Sequence, residues 1–392
     1  MENKEKLITY FLGSVAAKVL PFLFLPYILS KLSIEEYGQV ILTLTIVSIV
    51  TAIQLYAANA AYISFKTKNA NNEGEFTSAI AIIFINTILL MWLALCYWYY
   101  SGVFRTEVVY AGIIATIVSA HSMVLAFHQE KNEEKKYTVI NLITVIANIF
   151  ITYIIFEKIE ANYENRILAI ILSYCVTCYV TVIYIKREKA QLKKIRKTIK
   201  RMYKFGNGLA IHTISGILIT TSDRLIVSKY LTVSDVGIYG LAYQLAMPIS
   251  LIMTAINTTY AKKIIENSQE EIKIEKKYIK IIIPIIFLFY LVTALYVEIF
   301  MPTRVSEVLY LIPLAMIFYL FNGFAAVYSN KYYGNDDTFS ISVATFVGLI
   351  INLFLNLLFV PKYGLYAAAV VSVISQLCIL LILIMKHQKK PS

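Results

Sequence analysis

Along the chain, apolar stretches of about twenty residues alternate with short clusters of charge, Pro or Gly. The pattern predicts twelve helices, at approximately 7–29, 38–64, 77–100, 108–128, 138–156, 166–185, 205–228, 236–260, 278–300, 305–328, 338–359 and 363–385. A helix needs about 20 mainly apolar residues to cross the hydrocarbon of a bilayer. It also satisfies all of its own backbone hydrogen bonds there, which an open strand cannot do. The expected fold is therefore an all-α integral membrane protein with about 12 transmembrane helices.

Composition agrees with the pattern. Of 392 residues 59% are hydrophobic and only 15% charged, and mean hydropathy is +0.68. A soluble chain of this length needs far more polar surface to cover itself. The net charge of +12 raises nucleic acid as a partner. The basic residues, however, sit in short segments between apolar runs, with no nucleic-acid motif among them. Of the 36 Lys and Arg, 27 fall at the N-terminus, at the C-terminus and in loops on one side, and seven fall in loops on the other. By the positive-inside rule both termini are expected in the cytoplasm. Lys18 and Arg224 remain within spans.

The first apolar run lacks a small-x-small cleavage site and is expected to stay as the first helix. Cys96, Cys175, Cys178 and Cys378 all fall in apolar runs and are expected as small core residues. Cys175-x-x-Cys178 has no second pair or nearby His to complete a zinc site. With no P-loop, metalloprotease motif or nucleophile elbow, the sequence offers no catalytic residues, cofactor or metal.

Leu32-Ser33-Ile34-Glu35-Glu36-Tyr37-Gly38 aligns without gaps on Leu231-Thr232-Val233-Ser234-Asp235-Val236-Gly237 at an offset of 199 residues. Both segments follow the first span of a six-span half. An even number of spans per half makes the repeats parallel. The expected organisation is an N-terminal six-helix lobe (1–186), a basic cytoplasmic linker (187–204) and a C-terminal six-helix lobe (205–392).

These segments carry a resemblance. Ser222-Asp223-Arg224-Leu225-Ile226-Val227, followed by Leu231 through Tyr239, is similar to the seventh-helix and loop pattern of Wzx-type polysaccharide flippases. Those belong to the multidrug/oligosaccharidyl-lipid/polysaccharide exporter superfamily. Leu32-Ser33 with Glu36-Tyr37-Gly38, and the run from Val360 to Ala369, extend the likeness over nearly the whole chain. The resemblance implies a two-lobed, alternating-access flippase for polyprenyl-diphosphate-linked oligosaccharide repeat units in the bacterial inner membrane, serving O-antigen or capsule assembly. It also implies membrane lipids, a polysaccharide polymerase and chain-length proteins as partners. A drug antiporter of the same superfamily is the alternative. A membrane polymerase or acyltransferase is a further one, against which stands the absence of a large outer loop.

Charges inside a span are costly, which makes each a functional candidate. Lys18 and Arg224 supply positive charge for the anionic cargo that the resemblance implies, Arg through a planar fork and Lys as a point charge. Asp223 and His212 lie eleven residues apart, on one helix face, and are the candidates for ion coupling. The structural alternative is that Asp223 and Arg224 pair with neighbouring spans and that His212 bridges helices. His121 and His128 fall under the same alternative. Polar stripes run through Asn141, Thr144, Asn148 and Thr152, through Tyr243, Ser250, Thr254 and Asn257, and through Thr345, Asn352 and Asn356. Each can line a wet path for sugar or glue helices together. The 30 tyrosines, including the pairs Tyr99-Tyr100 and Tyr332-Tyr333, fit an interfacial belt.

Overall fold

The structure, a computed structural model, describes residue 17 and residues 19–68, 74–101, 106–182, 192–266, 270–300, 305–334 and 337–388. Among these residues every regular element is an α-helix. In chain order they are α1 (Val19–Lys31), α2 (Ile34–Leu55), α3 (Ala58–Lys68), α4 (Glu75–Ser101), α5 (Thr106–Glu130) and α6 (Glu134–Lys158). There follow α7 (Tyr163–Val182), α8 (Leu192–Tyr230), α9 (Val233–Glu266), α10 (Glu270–Phe300), α11 (Val305–Gly334) and α12 (Thr338–Gln388). Eight stretches among the described residues are long and apolar enough to cross a membrane.

Two of those stretches are longer than a straight crossing needs. Phe339–Lys386 has 48 residues, about 72 Å of helix at 1.5 Å per residue, more than twice a bilayer's hydrocarbon. It folds back on itself at Gly364, whose φ of 67° and ψ of −150° no helix contains. A Cβ on Gly348 would sit 2.3 Å from the Ile379 side chain, a meeting possible only if the arms run antiparallel. Ile34–Thr67 is instead one bent crossing, broken between α2 and α3 at Tyr56 (φ 43°) and Ala57 (φ 58°). Left-handed conformations cost about 1–2 kcal/mol per non-Gly residue. The first half of α8 holds this bend. The Tyr56 hydroxyl donates to Asn207 Oδ1 at 2.9 Å, and its ring lies 5.3 Å from that of Tyr203. Gly206 leaves room for the Tyr56 carbonyl, which a Cβ would meet at 2.7 Å. Counting α2 with α3 once and α12 twice, the described residues form six helical segments up to Val182 and six from Leu192.

The chain separates into two compact units, residues 1–33 with 43–214, and residues 34–42 with 215–392. In the first, Tyr62 of α3, Ile82 of α4 and Met123 of α5 form an apolar core that Met202 of α8 completes. The stretch 192–204, expected as part of a linker, is thus the opening of a 39-residue helix. The α5–α6 turn is tied by Glu133, whose carboxylate meets Lys136 Nζ at 2.7 Å and His128 Nδ1 at 2.6 Å. Those two bonds hold its carboxyl below the usual value.

In the second unit α9, α11 and α12 pack around Tyr239, Leu241, Leu245 and Phe318. Only Leu231 and Thr232 separate α8 from α9. There a reciprocal capping box forms: Asp235 N–H donates to Thr232 Oγ1 at 3.2 Å and Thr232 N–H to Asp235 Oδ2 at 2.9 Å. Ser33 and Glu36 occupy the equivalent positions 199 residues earlier.

The first turns of α2 cross those of α9 within this unit. A Cβ on Gly38 would stand 2.0 Å from the Val233 carbonyl oxygen, and one on Gly237 would stand 2.4 Å from that of Ile34. Both pairs are related by the 199-residue offset, and such reciprocity is what a two-fold relation between the duplicated segments produces. Gly240 packs on Ile41 in the same crossing, and Tyr37 donates to Gln244 Oε1 at 2.5 Å.

The expectation of core cysteines does not hold: Cys96 and Cys175 are exposed, and Cys178 and Cys378 are half-buried. In hydrocarbon a small apolar side chain has no need of protein cover. The same solvent explains the exposed Phe84, Ile88 and Trp92 of α4 and Phe287 of α10.

Gly38→Ala and Gly237→Ala must push backbone away from backbone, whereas Gly112, with nothing within 4 Å of its Cβ position, accepts Ala freely. Each crossing variant is expected to lose about 1–3 kcal/mol, read as a lowered thermal midpoint of the purified protein, with Gly112→Ala as wild type. Equal midpoints for all three variants contradict the assigned crossing.

Candidate functional site

Asp223 lies on α8 where that helix meets α9 and the second arm of α12, and is 1% exposed. Its carboxylate accepts hydrogen bonds from the Tyr239 hydroxyl, from the Ser372 hydroxyl at 3.1 Å and from the Arg224 N–H at 2.9 Å. The preceding Ser222 donates to Asn352 Oδ1 at 3.2 Å, and Asn356 Nδ2 donates to the same oxygen at 3.1 Å. Helical spacing explains the grouping. Asn352 and Asn356 are four residues apart and stack on one face of the first arm of α12, and Ser372, Ser375 and Gln376 stack likewise on the second. All five are buried.

This cluster is not saturated. Asn352 Nδ2, Asn356 Oδ1 and the Tyr243 hydroxyl are buried without a hydrogen-bond partner. Tyr243 stacks 4.7 Å from Tyr239 and meets Phe318 and Tyr319 edge-on at 5.7 and 6.1 Å. A buried carboxylate, two amides and a serine hydroxyl supply hard oxygen atoms suited to a proton or an alkali cation. Among the described residues no group of three or more His, Cys, Asp and Glu could hold a metal ion.

Arg224, one residue on, points about 100° away from Asp223. Its side chain is half-buried and its Nε is buried without a partner. Lys18, the second cation expected to meet cargo, lies outside the described residues. His212 is half-buried and is not among the donors to Asp223; eleven helical residues separate the two by about 16 Å.

Of the four asparagines expected as possible lining, only Asn352 joins Asp223. Asn148 receives Arg166 Nη2 at 3.1 Å and donates to Ser173 at 3.2 Å, while Arg166 Nη1 also bonds Thr152 at 2.9 Å. One turn away Thr144 donates to Thr177 at 3.0 Å and approaches His121 Nε2 at 3.1 Å. Most of this stripe therefore binds α6 to its neighbours α5 and α7. Asn257 accepts from Asn330 Nδ2 at 2.6 Å, and Asn141 is half-buried. Sequence reasoning missed Tyr239 and Ser372. Tyr239 stood within the flippase-like segment, and Ser372 begins a Ser-x-x-Ser-Gln run on an otherwise apolar span.

Residues 4–261 match the family of polysaccharide biosynthesis proteins. The chain belongs to this family. A protein of the Lsg locus of Haemophilus influenzae is 26% identical over 280 residues, covering 69% of this chain and 66% of that protein. An uncharacterized membrane protein of the same organism is 24% identical over 272 residues, covering 67% of this chain and 65% of that one. The chain thus spans slightly less than two thirds of these relatives.

The fold of this polysaccharide biosynthesis protein matches the lipid II flippase MurJ, in an inward closed conformation, with a TM-score of 0.78 at 14% identity, covering 98% of this chain and 88% of that chain. An outward-facing multidrug resistance MATE family transporter of the MOP superfamily matches with a TM-score of 0.63 at 14% identity, covering 99% and 97%. The chain shares its fold with both of these proteins.

Tyr239→Phe removes a donor from a buried carboxylate and is expected to cost about 1–3 kcal/mol. Tyr243→Phe removes a hydroxyl that does not donate to the Asp223 carboxylate and is expected to stay within about 0.5 kcal/mol. Thermal unfolding of the two purified variants checks this, and equal shifts would refute the assigned network.

Proposed function

We propose that this protein is a flippase that carries polyprenyl-diphosphate-linked oligosaccharide repeat units from the cytoplasmic to the outer leaflet of a bacterial inner membrane, for surface polysaccharide assembly. The observation that carries the reading is the family match over residues 4–261 on a chain with the fold of a lipid II flippase. The positive-inside count supports cytoplasmic termini. Alternating access is the mechanism, and a polymerase and chain-length proteins consume the product. Arg224 and Lys18 bind the diphosphate or acidic sugars. Arg224 is suited to this because its guanidinium keeps an unpaired donor within the membrane.

The test is leaflet-resolved tracing of lipid-linked intermediates in cells that depend on this chain. Arg224→Ala is expected to lower flipping about tenfold or more, the effect of losing a charge-assisted bond of about 1.5–3 kcal/mol, with its level in the membrane unchanged. Normal surface glycan and normal leaflet distribution in the variant exclude the role of Arg224. Drug efflux without any effect of deletion on lipid-linked intermediates favours the antiporter alternative instead.

Energy input is proposed to enter at Asp223, with His212 as the second candidate group. The chain has no nucleotide-binding motif, and an ion drives a conformational change only if it binds the two states differently. The carboxylate, with the unfilled Asn356 oxygen nearby, is the group whose occupancy by a proton or sodium ion would differ. In proteoliposomes an imposed proton or sodium gradient is expected to accelerate wild-type flipping at least severalfold, and Asp223→Asn to abolish the response. An Asn variant that responds like wild type leaves Asp223 a structural partner of Tyr239 and Ser372.

A further inference from the structure

The first turns of α8 are divided lengthwise by chemistry. At 100° per residue, Lys194, Arg196, Lys197, Lys200, Arg201 and Lys204 fall within one arc of about 160°, and all six are exposed. Ile195, Thr198, Ile199 and Met202 fill the opposite arc, and Met202 and Ile199 pack on the core of α3, α4 and α5. Among the described residues none of the six cations is paired with a carboxylate. Six like charges within about 15 Å of helix repel one another, at roughly 0.2–0.5 kcal/mol for each pair three or four residues apart, and an anionic surface relieves that cost.

The packing register shows where this face stands relative to the bilayer. Phe65, three residues before the end of α3, has its ring 5.4 Å from that of Phe205 and 5.0 Å from the Arg201 guanidinium. Met202 belongs to one buried cluster with Tyr62, Ile82, Met123 and Phe127, all within two turns of the ends of α3, α4 and α5. Residues 194–197 therefore reach past the core that α3, α4 and α5 form, and Lys200, Arg201 and Lys204 lie level with the last turns of those helices, where headgroups begin, while the exposed Phe205 marks the edge of the hydrocarbon.

We infer that this face is a docking surface for anionic phospholipid headgroups of the leaflet on the basic side of the membrane. The occupant is bilayer lipid rather than cargo, because the face is an open, convex arc of separate charges that takes several headgroups at once and encloses none. Each Lys or Arg near an anionic surface contributes about 1 kcal/mol, and those farther out still act within a Debye length of about 10 Å.

Native mass spectrometry of the full-length purified protein with phosphatidylglycerol or phosphatidylcholine tests the inference without any transport assay. The wild type is expected to retain phosphatidylglycerol in preference to phosphatidylcholine by about tenfold or more, less so when the lipids are added at high salt. Replacing four cations together, by Lys194→Gln, Arg196→Gln, Lys197→Gln and Lys200→Gln, is expected to remove most of that preference. Exchanging the same four as Lys194→Arg, Arg196→Lys, Lys197→Arg and Lys200→Arg is expected to keep it. Equal retention of the two lipids by wild type, as an acidic protein partner would leave it, overturns the inference. So does undiminished preference in the glutamine variant, or loss of preference in the charge-preserving one.

Discussion

Where α2 and α9 begin, the backbones at Gly38 and Gly237 pass so closely that a methyl group on either would lie inside the van der Waals shell of a carbonyl oxygen. Such an approach leaves no freedom to rotate either helix, because any neighbouring residue turned into the contact brings a side chain with it. The rotation of α9 is thereby set, and with it the direction of its other faces. Gly237 and Gly240 look onto α2, so Tyr239 and Tyr243, about 40° apart from each other around the helix, look toward α8 and α12. Asp223 receives its Tyr239 hydrogen bond as a consequence of the Gly237 contact two residues away from that tyrosine in sequence.

The carboxylate so reached is held without a bonded cation. Its donors are two hydroxyls and one amide N–H, and the guanidinium of the next residue points elsewhere around the helix. Dipoles of this kind offset part of the penalty for burying a charge and leave its sign locally uncancelled. A site of that character responds to a cation or proton more strongly than one already neutralised by an ion pair. The unsatisfied amide atoms of Asn352 and Asn356 beside it point the same way, since polar groups without partners are rare in a buried cluster. In the first unit the bonds from Arg166 to Asn148 and Thr152 make a comparable arrangement for a cation, with Ser173 continuing the chain of hydrogen bonds.

Much of this architecture was legible in the sequence because the bilayer imposes a simple rule, about twenty apolar residues per crossing. The all-helical class, the crossings and the duplication around Gly38 and Gly237 follow from it and from the 199-residue offset. What periodicity did not reveal are features decided by tertiary contact. The Tyr56–Ala57 bend carries no Gly or Pro, and Asn207, Tyr203 and Gly206 far along the chain stabilise it. The charged opening of α8 looked like a linker because its apolar face is only a narrow stripe, yet that stripe finds a core. Asp223 could be singled out as a costly charge, but its partners Tyr239 and Ser372 could not, since tyrosine and serine are common in spans and only the packing of α9 and α12 selects them. Cysteines misled for the opposite reason: rules for burial in soluble proteins do not carry over to a chain whose solvent is itself apolar.

Asp223 and Arg224 illustrate how adjacency on a helix divides labour. A rotation of about 100° sends the carboxylate into the packed junction of α8, α9 and α12 and carries the guanidinium out of it, to a half-buried position with an unfilled donor. Pairing the two directly would have cancelled both charges and left neither free to respond to anything outside the helix. Separated by one residue step, they stay close enough to lower each other's electrostatic cost, since unit charges a few ångströms apart still interact appreciably at intermediate dielectric. Each also keeps its own set of contacts. Under the proposed function, a cation entering near Asp223 would weaken the hold of that carboxylate on Arg224, and an anion bound at Arg224 would act back on Asp223 through the same field. Two sites so placed would be coupled by Coulomb's law before any helix moves, and such a coupling is reciprocal by thermodynamic necessity.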